Sequence, residues 1–145
     1  MALALSVHAA CAQRVAATEL SAGAVATIAT RDFWGGNIGL ARRVGGRRAA
    51  VDLSGGSVAG AAAMRVRATA QLVVRPQARS GVSPYGALGL AWAGAEDAHG
   101  AAYLAVVAGL EAAPARPAGW YVEIGVEGGV RVAAGLRWRR PRRGG

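Results

Sequence analysis

The sequence is short of most residues that would tie it to a familiar soluble class. Its 145 residues hold one cysteine, Cys11, so neither an internal disulfide framework nor a cysteine-based zinc site is available. Lysine is absent, and all 17 basic residues are arginine, which reads as the codon bias of a GC-rich genome. Long apolar runs are missing too. The longest uncharged stretch, residues 80–95, is broken by Pro84 and several glycines. It falls short of the ~18 residues that a membrane-spanning helix requires, which excludes a helical inner-membrane protein. Acids are few, 8 against 17 bases, for a net charge of +9. Such an excess invites a nucleic-acid reading, so the placement of the arginines has to decide it.

What the chain does have is alanine, 22 glycines and a period of two. In "MRVRATAQLVV", residues 64–74, every second residue is apolar while Arg65, Arg67, Thr69 and Gln71 fall between. That is a β-strand with one greasy and one polar face. The pattern recurs over residues 18–29, 34–44, 48–54, 84–93, 101–112, 120–127 and 130–138, separated by turn-forming pieces such as "GGR" and "APARPAG". Residues 101–113 are helix-compatible on alanine content alone, but their neighbours all alternate, and the stretch is read as a strand. Eight strands with short connections suit an antiparallel meander, within a single domain at this length.

The greasy face points either inward, as in a soluble barrel, or outward, to lipid. Three features favour outward. On the polar faces, Glu19, Asp52, Glu111, Glu123 and Glu127 stand against Arg43, Arg65, Arg67, Arg131 and Arg137. That is a balanced ionic set, as an enclosed lumen needs, because unpaired buried charge is costly. The remaining polar-face positions are small, which leaves room for long arginines across a narrow eight-stranded interior. The aromatics fall at or near strand ends. With a periplasmic N-terminus, Phe33, Trp34, Trp92 and Tyr103 gather at the outer rim, and Tyr85, Trp120, Tyr121 and Trp138 at the inner one. Aromatic girdles at both interfaces are a property of transmembrane barrels. Arg47, Arg48, Arg75, Arg79, Arg116 and the tail arginines collect on the inner side, and Asp32, Glu96 and Asp97 on the outer. The excess charge is therefore a rim feature, and no nucleic-acid partner is expected.

On this alternation, the girdles, and a final strand "VRVAAGLRW" ending in an aromatic, residues 18–139 resemble the small eight-stranded outer-membrane barrels of the OmpA and OmpX kind. The stretches "SPYGALGLAW" and "GWYVEIGVEGGVRVAAGLRWR" look like strand pairs of such barrels. The resemblance implies an all-β, up-and-down transmembrane barrel with short inner turns. It also implies outer-membrane lipids and the barrel assembly machinery as partners, and a monomer. It implies an aromatic last residue as the assembly signal; here seven residues follow Trp138, so the signal works internally or insertion is less efficient. The division expected is residues 1–12 as a clipped export signal, with Ala10-Cys11-Ala12 fitting an A-x-A cleavage site, residues 13–139 as the barrel, and residues 140–145 as an arginine-rich periplasmic tail.

No catalytic, cofactor or metal motif stands out. His99 beside Glu96 and Asp97, with Ser54 or Ser57, is the one set from which a Ser–His–acid site for lipid or lipopolysaccharide can be drawn; a hydrated polar loop is the plainer reading. "GGNIG" and "GVEGG" lack the lysine and the strand–loop–helix context of phosphate loops. The expectation is a closed, charge-filled outer-membrane barrel in a structural or interaction role. The alternatives are a lipid-modifying enzyme and a soluble lipocalin-like carrier.

Overall fold

A computed structural model describes residues 16–142. The expected export-signal segment, residues 1–12, lies outside the described residues. Eight strands follow in order: β1 (Ala16–Ile28), β2 (Phe33–Val44), β3 (Arg47–Val58), β4 (Ala61–Val73), β5 (Val82–Ala95), β6 (Ala98–Ala112), β7 (Ala118–Val126) and β8 (Val130–Arg142). Each pairs antiparallel with the next, and β8 returns to β1 from Ala16↔Arg142 to Ile28↔Val130, closing the barrel. Closure removes the open edge that an eight-stranded sheet would otherwise present.

The alternation decides which way each side chain points. Leu20, Ile38, Leu40, Leu53, Leu88, Leu90, Leu104, Ile124 and Leu136 face out, while Glu19, Arg43, Asp52, Arg67 and Glu111 face in and are buried. A carrier of lipocalin type has the opposite arrangement, so that alternative is excluded. The interior also holds a small apolar cluster of Val25, Phe33, Tyr121 and Ala133.

The strands run further than the turn residues suggest. The composition of "GGSVAG", between the strands read over 48–54 and 64–74, suits a loop, yet pairing continues from Leu53↔Val66 to Val58↔Ala61, leaving only Ala59 and Gly60 to turn. "GAEDAHG" likewise reduces to Glu96 and Asp97, with a register shift at Ala93/Ala95. Backbone pairing at a closed seam outweighs the weak strand propensity of Ser, Gly and Ala. Residues 140–142, expected as tail, are the end of β8 and pair with Thr18, Ala17 and Ala16. The expected short inner turns are also corrected. The two longest connections, residues 74–81 and 113–117, lie at the end of the barrel that carries the chain termini.

The Ala59–Gly60 hairpin has both residues at positive φ, 49° and 87°, as a type I′ turn demands. Glycine adopts this freely, whereas alanine is strained there. Ala59 is exposed and free to change. Ala59→Gly is expected to stabilise the barrel by about 1 kcal/mol, read as a higher urea midpoint for unfolding from phospholipid vesicles.

Candidate functional site: the ionic lumen

The lumen is the one place where the chain concentrates chemistry, and every strand contributes to it. It divides into two clusters joined by a tyrosine.

Toward the terminus end, Glu19 of β1 is gripped by Arg43 of β2 and Arg48 of β3, both at 2.7 Å. Glu111 of β6 takes Arg48 at 2.8 Å and Arg139 at 3.1 Å, together with Arg137. Four guanidiniums thus share two carboxylates. The surplus is absorbed by carbonyl dipoles: Arg43 donates to the carbonyls of Pro76 at 2.8 Å and Pro114 at 2.9 Å. Both carbonyls belong to the long connections, which bond to each other through Ala115 N–H and Ala78 C=O at 3.0 Å. Arg43 therefore ties two turns across the mouth.

Toward the other end, Glu123 of β7 accepts from Arg131 at 2.6 Å and Arg67 at 3.1 Å. Asp52 of β3 holds Arg67 at 2.9 Å. Glu127, just past β7, sits 3.3 Å from both Arg65 and Arg131. Three acids meet three bases here. Tyr85 of β5 links the halves. Its hydroxyl donates to Glu123 at 2.8 Å, and its ring faces the guanidiniums of Arg48 and Arg137 at 5.5 and 5.3 Å, a cation–π geometry. The ring lies over Gly109, its cross-strand partner, where a Cβ would strike it.

All ten ionic residues expected from the alternation lie in this network: Glu19, Arg43, Asp52, Arg65, Arg67, Glu111, Glu123, Glu127, Arg131 and Arg137. Arg48 and Arg139 belong to it as well, so the five-against-five balance becomes seven bases against five acids. Both were within reach of the same signal, since Arg48 shares the parity of Asp52 and Arg139 that of Arg137. Their place at the strand ends, beside other rim arginines, hid it.

The girdles need correction by face. Trp34, Trp92, Trp120 and Trp138 stand on the outside, two toward each rim, with Trp34 62% exposed. Phe33, Tyr85 and Tyr121 point inward and are buried, and half-buried Tyr103 lines the mouth opposite the termini. The physical reason is polar satisfaction. Tyr121 pairs with Asn37 at 3.1 Å and lies under Arg137, and Phe33 lies under Arg65 at 5.3 Å. Inside, these rings have hydrogen-bond and cation partners that the apolar outer wall does not offer.

The Ser–His–acid set does not assemble. Ser54 is buried on the lumen face, Ser57 lies on the outward face, and His99 is exposed at the mouth. Asp97 is engaged by Arg31 at 2.6 Å instead. Among the described residues no group of three or more His, Cys, Asp or Glu is arranged to hold a metal.

No family model and no curated protein matches this sequence. Solved structures do. The N-terminal β-barrel domain of Pseudomonas aeruginosa OprF superposes with a TM-score of 0.67 at 17% identity, covering 86% of this chain and 97% of that one. Neisserial surface protein A matches at 0.60 and 17%, covering 85% and 95%. A de novo designed transmembrane β-barrel matches at 0.57 and 17%, covering 85% and 95%.

Two outcomes test the site. Glu111→Gln leaves Arg48, Arg137 and Arg139 around a neutral amide, and breaking a buried pair typically costs about 3–5 kcal/mol. Urea unfolding in vesicles, followed by tryptophan emission, is expected to show a loss of that order, and a smaller one for Arg65→Gln at the wetter end. At the far rim, the hydrogen bond from Arg31 holds the Asp97 carboxyl below its ordinary value. Its contribution is present above the unfolded value of about 3.9 and fades as pH falls through the lower folded one. Arg31→Gln is expected to raise the Asp97 midpoint in a carboxyl-carbon NMR titration.

With alternation, closure and neighbours all in agreement, the chain has the fold of the small eight-stranded outer-membrane barrels.

Proposed function

We propose that the protein is an integral outer-membrane barrel, closed to solute flow, with a structural role in envelope integrity or interaction and no catalytic one. The observation that carries the reading is the inside-out wall. Leucine, isoleucine, valine and tryptophan cover the outside of all eight strands, while the acids of the strands are buried within. In water such a surface would be a contiguous apolar patch far beyond what soluble monomers expose. In a bilayer it is the matched solvent, since a closed barrel also satisfies every backbone group of the wall. Strands of 9 to 15 residues fit the ~9–11 that a tilted spanning strand needs.

Closure of the bore is supported by the side chains that fill it. Arg131, Tyr121, Phe33, Glu19 and Glu111 are each less than 2% exposed, and their bonds cross from strand to strand. With the termini periplasmic, as in the barrels it resembles, the arginine-rich rim faces the periplasm and the Arg31–Asp97 tie faces out. Outer-membrane lipid surrounds the wall, and the assembly machinery inserts it. A monomer is the reading for its assembly, because the ion pairs of the lumen are made within one chain.

The test is fractionation from a Gram-negative host, gel migration with and without boiling, and planar-bilayer recording. The expected result is an outer-membrane protein whose fast band slows on heating and which carries no current. Recovery in the soluble fraction without detergent would overturn the membrane reading, and discrete channel openings would overturn the closed lumen.

A further inference from the structure

The outer wall is not uniformly apolar. Arg42 of β2, Arg47 of β3 and Arg140 of β8 are exposed, lie toward the terminus end, and form no ion pair among the described residues. Thr18 of β1, also exposed, pairs with Arg42 on one side and Arg140 on the other. With strands about 4.8 Å apart, the two arginine stems rise roughly 10 Å from one another with a hydroxyl between them. Arg47 stands two residues before Ala49, the partner of Arg42, a diagonal of about 7 Å. Across β4 to β7 the outward positions toward this rim are Leu72, Val82, Leu110 and Trp120 instead. Among the described residues, the positive charge of the wall is thus confined to one sector.

Depth and shape point the same way. Arg140 lies two residues beyond Trp138, and Thr18 two residues before Leu20, which pairs with Trp138. Interfacial tryptophans mark the headgroup boundary, so the basic row falls just on its polar side. Beside Arg42 a furrow of about 620 Å³ opens in the wall. Its floor is Ala49, Ala68 and Ala70, and Leu40, Leu88 and Leu90 rise around it. The pairing puts Arg42, Ala49, Ala70 and Leu88 in one row across four strands. Methyl groups standing among leucines leave a channel that leads away from a cation.

We propose that this sector binds one anionic glycerophospholipid of the leaflet next to the termini. The phosphodiester sits between Arg42 and Arg140, with the Thr18 hydroxyl donating to it, and an acyl chain lies in the alanine furrow. Guanidinium forks suit phosphate oxygens. Three arginines with no carboxylate beside them repel the ammonium of phosphatidylethanolamine, which selects phosphatidylglycerol. The inference rests on the transmembrane reading above.

The full chain, folded in neutral detergent, is titrated with phosphatidylglycerol and the bound lipid is counted by native mass spectrometry. One lipid is expected to bind, with phosphatidylethanolamine at least fivefold weaker. R42Q/R140Q should lose at least fivefold in affinity. A70W, which fills the furrow and keeps the charge, should weaken the long-chain lipid at least threefold while leaving a dihexanoyl analogue unchanged. R75Q/R79Q, which removes equal charge from a connection, should bind as the parent does. Undiminished binding by R42Q/R140Q, an equal loss in R75Q/R79Q, or displacement of phosphatidylglycerol by an equimolar bisphosphorylated lipid A would overturn the site. A chain with no heat-modifiable band would overturn the membrane reading itself, and the site with it.

Discussion

Pairing of desolvated charge is the constraint on which the rest of this barrel depends. Five carboxylates and seven guanidiniums occupy a bore too narrow for bulk water, where an uncompensated ion would be prohibitively costly. The solution uses the geometry of arginine. Arg43 engages one carboxylate and two backbone carbonyls at once, and Arg67 reaches Asp52 and Glu123 together. A lysine ammonium carries its three donors on one atom and cannot spread them over three separated partners as Arg43 does with Nε, Nη1 and Nη2. The absence of lysine, which composition alone assigns to genome bias, therefore also matches what the interior requires.

The small residues follow from the same constraint. Each long side chain that crosses the lumen needs a partner position that yields space. Gly109 under the Tyr85 ring is the clearest instance, and Gly39 sits against Asp52 and Ser21. Alanine and glycine inside, with leucine and valine outside, invert the volume distribution of a soluble sheet. The wall is thereby left to find its apolar contacts in the surrounding solvent, not in a core.

Much of this was legible because a period of two is a strong signal when it repeats. Strand number, order and the facing of the ten ionic residues all follow from it. The misses share one cause, the precedence given to residue type over parity. Arg48 opens its strand directly after the turn, and Arg139 stands one residue past the last strand, so both read as rim charges; yet both lie in phase with acids and bases of their own strands. Phe33, Tyr85, Tyr103 and Tyr121 were grouped with the tryptophans as rim aromatics, although Tyr121 alternates with Trp120 and Tyr103 with Leu104. Parity alone gives their facing; what no local pattern encodes is the partner each meets on another strand, such as Glu123 for Tyr85. Strand ends were invisible for a similar reason, because Ser57 and Ala62 are held in β-structure by each other.

The wiring of the lumen also bears on how the cylinder comes together. Arg48 meets Glu111 across 63 positions of sequence, and Arg43 meets Pro114 across 71. Only β1–β2 closes an ion pair of its own with no surplus charge in the lumen, Arg43 on Glu19; the other charges of the terminus-end cluster wait for distant strands. On the transmembrane reading proposed above, a half-built sheet would leave Arg43 and Arg48 sharing Glu19 alone until β6 brought Glu111. Ring closure is then a concerted event of high contact order, and the nascent interior has to stay hydrated until the last seam, β8 against β1, shuts.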